Sequence, residues 1–356
     1  KFLNMNFNIA VLKGDGIGPE IVNEAIKSLN AIGKKFNHQF NFTEALMGAC
    51  AIDVTGNPLP DETLELCKKS DAVLFGSIGH PKYDNDPNAK VRPEQGLLKL
   101  RKELGLYANI RPVAYYPALA EFSPLKSEII TGADFVVVRE LTGGIYFGEK
   151  GRKNDNKTAY DICEYTDYEI VRIAKVAFDL AQKRRKKVTL VDKANVLESS
   201  RLWRDVVKNL AGNYPDVELD FLFVDNAAMQ MILRPTQFDV ILTENMFGDI
   251  ISDEGSVIGG SIGLLPSAST GDKVGLFEPI HGSYPQGAGK NIANPMATIL
   301  SAAMLLESGL NLVDEANAVR AAVALAIENN VATEDLNKVN PVGTDAVGDY
   351  IANAIL

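Results

Sequence analysis

The chain has 356 residues, of which 46% are hydrophobic and 23% charged, and its formal net charge is −10. That length suggests about two domains with a sizeable core, and the acidic balance disfavours nucleic acid or an anionic membrane surface as partner. The three cysteines, Cys50, Cys67 and Cys163, are odd in number and far apart, which excludes a disulfide framework or zinc pattern and fits a reducing cytoplasm.

Met5 opens a strand lead-in, so Lys1–Asn4 read as the remnant of a start-site extension. No apolar signal core stands at the N-terminus. The first strand, Ile9–Leu12, runs into Gly14-Asp15-Gly16-Ile17-Gly18-Pro19-Glu20. The dinucleotide fingerprint is G-x-G-x-x-G; this stretch is G-x-G-x-G with Pro19 where the last glycine belongs, and no Walker G-K-[ST] follows. What remains is a glycine turn and a helix (Ile21–Ile32) with Pro19 in its first turn and Glu20 at its positive end. Further apolar runs, Ala72–Phe75, Phe135–Val138, Val188–Val191, Leu219–Val224 and Val240–Thr243, alternate with helical patterns such as Tyr168–Gln182 and Arg201–Leu210. Such alternation predicts an α/β fold with a largely parallel sheet covered by helices. From about Ala293 the chain is alanine-rich and helical; its apolar stretch to Leu306, interrupted by Asn294, is too short for a membrane span.

The residues that carry chemistry fall between these elements. Arg101, Arg111 and Arg139 suit bidentate binding of carboxylates, and Arg139 ends a strand, where α/β ligand sites tend to lie. Taken singly, each arginine reads first as a surface salt bridge. Tyr146 is a possible proton donor. Gly148–Tyr165 is polar, long and loop-like, hence functional, involved in assembly or simply mobile. The basic run Lys183–Lys187 reads as a solvated helix end rather than a nucleic-acid patch. Lys193 follows a strand and could act as a base among other cations. Asp249 and Asp253 are four apart on a predicted helix and repel unless a cation lies between them; Asp225, after another strand, could add a third oxygen. Carboxylates without nearby His or Cys suit Mg²⁺ or Mn²⁺ rather than zinc, although the pair alone also describes a solvated acidic face. Phe277–Pro295 is rich in glycine and backbone N–H groups and suits close approach to a nucleotide. His281 lies in it, and neither His38 nor His80 makes a metal pair with it.

Taken in order, GDGIGPE, FGDIISDE and the H-G-S…A-G-K-x-I-A-N-P loop resemble the β-decarboxylating isocitrate/isopropylmalate dehydrogenase family, from Asn6 to about Ile355. LFGSIGHPKYD followed by RPEQGLLKLRKELGLYANIRP is most similar to its isopropylmalate branch. The resemblance implies a non-Rossmann fold of two α/β domains around a largely parallel sheet with an active-site cleft. One domain would hold 1–105 plus 260–356 on the cofactor side. The other would hold 106–259, with the dimer interface and an intersubunit arm at about 148–165. It implies NAD-dependent oxidative decarboxylation of (2R,3S)-3-isopropylmalate to 4-methyl-2-oxopentanoate and CO₂ in leucine biosynthesis, with homoisocitrate, isocitrate or tartrate/malate as alternative substrates.

By the same resemblance Glu94, Leu97 and Leu98 would meet the isopropyl group. Arg101, Arg111 and Arg139 would clamp two carboxylates, with Asn195 and Asp225 also at the substrate. Asp225, Asp249 and Asp253 would hold Mg²⁺ or Mn²⁺. Lys193 would take the hydroxyl proton and Tyr146 would protonate C3, with Lys193 and Asp225 reaching in from the second subunit of a homodimer. The cofactor would contact Gly76, Ser77, Ile78, Gly79, Pro81 and Lys82 on the nicotinamide side, then Glu278, His281, Gly282, Ser283, Gln286, Gly287 and Asn294. One departure stands out. Gln286 replaces an Asp that in many NAD-using members repels a 2′-phosphate, while the Asn340–Gly343 segment offers no cation to attract one.

A Mg²⁺-dependent phosphoryl-transfer enzyme is a competing reading, but it requires a phosphate loop with a lysine, and the sequence has none. A non-catalytic binding protein of this fold is disfavoured by the intact Lys193 and Tyr146.

Overall fold

The computed structural model describes residues 5–86 and 88–356, so the expectation about Lys1–Asn4 lies outside the described residues. The strands, in chain order, are β1 (Asn6–Gly14), β2 (Gln39–Glu44), β3 (Ala72–Ser77), β4 (Ala108–Ala114), β5 (Asp134–Glu140), β6 (Lys150–Lys153), β7 (Thr158–Asp161), β8 (Lys187–Asp192), β9 (Glu218–Phe223), β10 (Val240–Thr243), β11 (Pro266–Thr270) and β12 (Gly275–Pro279). Two compact units result: the chain up to Leu106 together with Gly260–Leu356, and Tyr107–Gly259.

In the first unit the strand order is β2-β1-β3-β12-β11. β1 is parallel to β2 and β3, and β12 is parallel to β3; only β11, beside β12, runs antiparallel. β3 is buried along its whole length, as its unbroken apolar run requires of a strand covered on both faces. The helix Gly18–Phe36 lies on this sheet. It starts with proline at its first turn and ends at Asn37, which takes the left-handed conformation at φ 60°, a C-cap geometry that Asn tolerates. Ala10, Leu12, Val73 and Phe75 form the core on one side with Leu97, Leu100 and Leu106.

In the second unit the order is β4-β5-β10-β8-β9. β5, β10, β8 and β9 are parallel, and β4 runs antiparallel to β5. The helices Asp167–Gln182 and Glu198–Ala211 cover one face and close a core around Trp203, Phe178 and Val138. Trp203 meets Tyr165 edge-on at 5.3 Å between ring centroids. The predicted run Leu219–Val224 ends one residue early, because Val224 already opens the helix Val224–Leu233.

The Gly148–Tyr165 segment contains an antiparallel hairpin, β6 with β7. Asn154, Asp155 and Asn156 turn it with positive φ, which Asn and Asp accept more readily than other side chains. The basic run is tied down: Arg184 and Arg185 pair with Asp134 and Asp239, Lys186 with Asp216, and Lys187 with Glu218. Among the described residues no helix is long and apolar enough to cross a membrane.

Candidate active site

Parallel strands put their C-terminal ends on one edge, where α/β proteins bind ligands. In the second unit that edge carries Arg139 at the end of β5, Lys193 after β8, Asp225 after β9 and the helix Asn245–Gly259 after β10. Arg139 is 2% exposed. Its Nη1 donates to Asp249 Oδ1 at 2.5 Å, while Nε and Nη2 both donate to Asn245 Oδ1 at 3.2 and 2.8 Å. Its aliphatic stem lies so close to Gly248 that a Cβ there would sit 2.6 Å from Arg139 Cγ. Arg111, on β4, donates to Asn109 Oδ1 at 2.7 Å and Ser252 Oγ at 2.6 Å, and its Nη1 is 3.4 Å from Asp253 Oδ1. The Tyr146 hydroxyl donates to Asp249 Oδ2 at 2.9 Å. Burial, then the Asp249 charge, push the Tyr146 phenol above its usual range, so it keeps its proton at neutral pH. Five of the expected residues, Arg111, Arg139, Tyr146, Asp249 and Asp253, therefore meet in one cluster.

Lys193 and Asp225 pair with each other, Nζ to Oδ1 at 2.7 Å. Asp225 is well exposed, and the Lys193 hydrogen bond holds its carboxyl below the usual range. Asn195 is exposed on the same turn as Lys193. The turn is fixed from below. Buried Asp192 takes two bonds from Arg204, at 2.6 and 3.0 Å, and one from the Ala194 N–H. The Lys193 N–H donates to Ser200 Oγ at 3.1 Å, and Ser200 donates to Glu244 Oε1 at 3.0 Å.

Glu244 is 4% exposed, and burial pushes its carboxyl up to about 7. The folded state thus holds this proton to higher pH than the unfolded chain, whose carboxyl titrates near 4.5. Its contribution is fully present below the unfolded value and is lost as pH rises through about 7, a decline of about 3 kcal/mol. Glu244→Gln, neutral at every pH, is expected to gain stability relative to the parent as pH rises from about 5 to about 8. Denaturant unfolding at the two pH values checks this; an unchanged difference between the two proteins would contradict it.

In the first unit β1, β3 and β12 are adjacent and parallel, so the turns after them converge. The Ile17 N–H donates to the Ser283 carbonyl at 2.8 Å, and Ser283 Oγ donates to the Gly79 carbonyl at 2.6 Å. At Gly16, φ is +57° and a Cβ would lie 1.9 Å from the Ser283 carbonyl, so only glycine fits. Asp15 and Glu20 organise these turns. The Asp15 carboxylate accepts the N–H groups of Ala49, Cys50 and Gly79 at 2.8, 2.9 and 3.0 Å. Glu20 accepts the N–H of Gly289 and, at 3.2 Å, that of Asn291. Neither acid was expected at the site; for Asp15, the only cue was a carboxylate between two glycines.

Beside these turns lies a cavity of about 580 Å³ with apolar walls from Ile17, Ile262 and Ile292 and polar ones from His281, Asn294 and Asp335. His281 Nε2 is buried without a hydrogen-bond partner, and burial lowers the ring's pKa, so the imidazole is neutral. Gln286 is exposed on the turn Pro285–Gly287. A Cβ at Gly287 would lie 2.3 Å from the Tyr284 ring.

Other expected residues have partners already. Lys82, on the short helix with Pro81, pairs with Asp53 at 2.5 Å. Glu278 pairs with Arg101 at 2.8 Å, and Arg101 Nε is left buried and unpaired. Gly76 and Ser77 end β3. A Cβ at Gly79 would lie 2.9 Å from Glu94 Oε1, so that turn touches the helix Pro93–Glu103. Leu97 is only 8% exposed and packs in the core. Leu98 is half-buried and shares its helix face with Glu94. Among the described residues no three His, Cys, Asp or Glu side chains gather as a metal site. Asp249 and Asp253 offer hard oxygens of the kind Mg²⁺ or Mn²⁺ takes. Burial pushes the Asp253 carboxyl up, and the neighbouring Arg111 charge opposes that shift.

The chain matches the isocitrate/isopropylmalate dehydrogenase family over residues 8–351. It is 56% identical over 353 residues to a 3-isopropylmalate dehydrogenase of Bacteroides fragilis, covering 99% of both chains. It is 54% identical to that of Carboxydothermus hydrogenoformans, covering 98% of this chain and 95% of the relative. Among solved structures, an isocitrate dehydrogenase from Methylococcus capsulatus superposes with a TM-score of 0.89 at 36% identity, covering 98% of this chain and 99% of that one. A β-decarboxylating dehydrogenase from Thermococcus kodakarensis gives 0.80 at 37%, covering 98% and 96%.

Proposed function

The chain belongs to the isocitrate/isopropylmalate dehydrogenase family, and on that premise we propose that it oxidatively decarboxylates 3-isopropylmalate, a step of leucine biosynthesis, using NAD⁺ and Mg²⁺ or Mn²⁺. The observation that carries the reading is the cluster of Arg111, Arg139 and Tyr146 with the carboxylates Asp249 and Asp253. When bound, NAD⁺ would supply a hydride acceptor and the divalent ion a Lewis acid at the substrate oxygens.

The chain's own residues do the rest. Arg111 and Arg139, fixed by Asn109 and Asn245, orient substrate carboxylate. Asp249 and Asp253 would hold the ion, and Asp225 would join them as a third ligand from the second subunit of a homodimer. The Lys193 amine accepts the hydroxyl proton. Tyr146, protonated at neutral pH, delivers a proton to C3 after CO₂ leaves. Glu94 and Leu98 take the branched alkyl tail, for which a polar-tailed substrate would be a poor fit. The cavity beside His281 would take the adenosine half of the cofactor, which would offer the unpaired His281 Nε2 a partner.

Dimerisation is supported by exposed apolar side chains, Met229 and Leu233 on one helix and Ile250 on another, which a surface helix otherwise keeps polar. The unpaired cysteines suit a cytoplasmic enzyme. The test is NADH formation from 3-isopropylmalate, NAD⁺ and Mg²⁺ by the purified protein, with isocitrate as competitor substrate. Activity on isopropylmalate well above that on isocitrate is expected; activity on neither, in a folded dimer, would overturn the reading.

A further inference from the structure

We propose that Ser200 and Glu244 are positioning residues for Lys193, forming a buried strut that sets where its amine stands. The inference rests on the reading above, in which Lys193 takes the hydroxyl proton of the substrate. Ser200 is fully buried and Glu244 nearly so, so both act through Lys193 rather than on the substrate.

Lys193 is the first residue beyond β8, so its N–H lies past the ladder and needs another partner. Ser200, in the first turn of the helix Glu198–Ala211, supplies it. Its Oγ accepts the Lys193 N–H at 3.1 Å and donates to Glu244 Oε1 at 3.0 Å. A hydroxyl has one proton to give, so its commitment to Glu244 turns the lone pairs of Ser200 toward Lys193. Without that acceptor the hydroxyl is free to bond a carbonyl one helical turn back, as serine in a helix commonly does. Glu244 is itself fixed. It directly follows β10, which pairs with β8, and the preceding Thr243 Oγ1 donates to the Val191 carbonyl at 2.9 Å. Its own carbonyl accepts the Gly248 N–H at 2.9 Å, at the root of the helix that carries Asp249 and Asp253. The Cys163 thiol lies 3.7 Å from its other oxygen. Its acidic neighbour Asp192 is compensated by Arg204. One residue thus braces the base turn with its side chain and the carboxylate-bearing helix with its backbone. Asp225 meets the tip of the Lys193 side chain at 2.7 Å; the strut holds its root. A lysine stem is flexible, and misplacing a reacting group by about 1 Å can cost about 10²-fold in rate.

Steady-state kinetics of the full-length protein with isopropylmalate, NAD⁺ and Mg²⁺ test this. Ser200→Ala and Glu244→Met should each lower kcat by about tenfold and leave KM for isopropylmalate within about twofold, because Lys193 moves a proton and does not hold substrate carboxylate. The double variant should lose no more than the worse single variant, since both changes cut the same strut. Glu244→Gln keeps an acceptor for Ser200 and the shape of the neutral acid, so it should hold kcat within about twofold of the parent. Ser200→Ala removes a single oxygen atom and keeps the proposal testable where the Met variant misfolds. A parental kcat in Ser200→Ala, equal losses in the Gln and Met variants, or a loss expressed in KM overturns the proposal and leaves the dehydrogenase standing. A parent that does not turn over isopropylmalate overturns the proposed function and this inference with it.

Discussion

Lys193→Met is expected to lower kcat for isopropylmalate oxidation by about three orders of magnitude, within the range lost when a general base is removed. Methionine keeps the length and the apolar stem but can neither accept a proton nor pair with Asp225. Because the turn is anchored through Asp192, Ser200 and Arg204 and not through the Lys193 side chain, the thermal midpoint should move little. A loss of activity without loss of fold therefore assigns Lys193 to chemistry. Its pairing with Asp225, in the first turn of the helix that carries exposed Met229 and Leu233, gives a sharper test. If Lys193 serves the partner's site, inactive Lys193→Met and inactive Asp249→Asn subunits complement each other. Unfolding and refolding an equimolar mixture should then restore about a quarter of parental activity, since half the dimers are mixed and each has one intact site. No recovery in verified mixed dimers would place Lys193 in the active site of its own chain.

The fold class was legible because parallel strands covered on both faces must be continuously apolar; β3, β5, β8 and β10 announce themselves that way. The strands that went unread do not. β11 is Pro-Ser-Ala-Ser-Thr, β12 contains Glu278 and ends in Pro279, and the arm strand β6 is Lys-Gly-Arg-Lys. Their pairing is decided by neighbours far away in sequence. The same limit applies to the site. Arg139, Tyr146 and the Asp249–Asp253 pair could be picked out because each residue type carries its chemistry with it. Asp15 could not, since its role is to receive backbone N–H groups 34, 35 and 64 residues away. Glu20 was read as a helix N-terminal charge, yet it also fixes a loop some 270 residues on, at Gly289 and Asn291. Glu244 differs again: flanked by Thr243 and Asn245 at a strand end, its sequence context reads as surface, and only the fold buries it beneath Lys193. Leu97 and Leu98 show the converse. Both are apolar and adjacent, but the helix turns one into the core and leaves the other partly open.

Arg139→Lys is expected to cut kcat/KM for isopropylmalate by about 10²-fold to 10³-fold although it conserves charge. The guanidinium at this position is used as a rigid fork, with one nitrogen on Asp249 and two on Asn245. A lysine ammonium is a single compact donor on a flexible stem and cannot span both acceptors. Asn245 Oδ1 would lose both bonds in a position that is 1% exposed, and a buried acceptor without a donor costs about 1–3 kcal/mol. Losing one partner of a buried charge pair costs about 2–5 kcal/mol when the other charge stays behind; the lysine retains the charge but not its placement, so the lower part of that range applies. Kinetics separate the two ways this can reach activity. If Arg139 acts by holding substrate carboxylate in ground and transition state alike, KM rises and kcat is kept. If its main work is to aim Asp249, whose other oxygen already accepts the Tyr146 proton, kcat falls and the apparent affinity for Mg²⁺ falls with it. The geometry favours the second outcome, because the shortest contact Arg139 makes in the cluster is to Asp249. An unaltered kcat/KM in Arg139→Lys would show that the fork is structural only and that Arg111 alone orients the substrate.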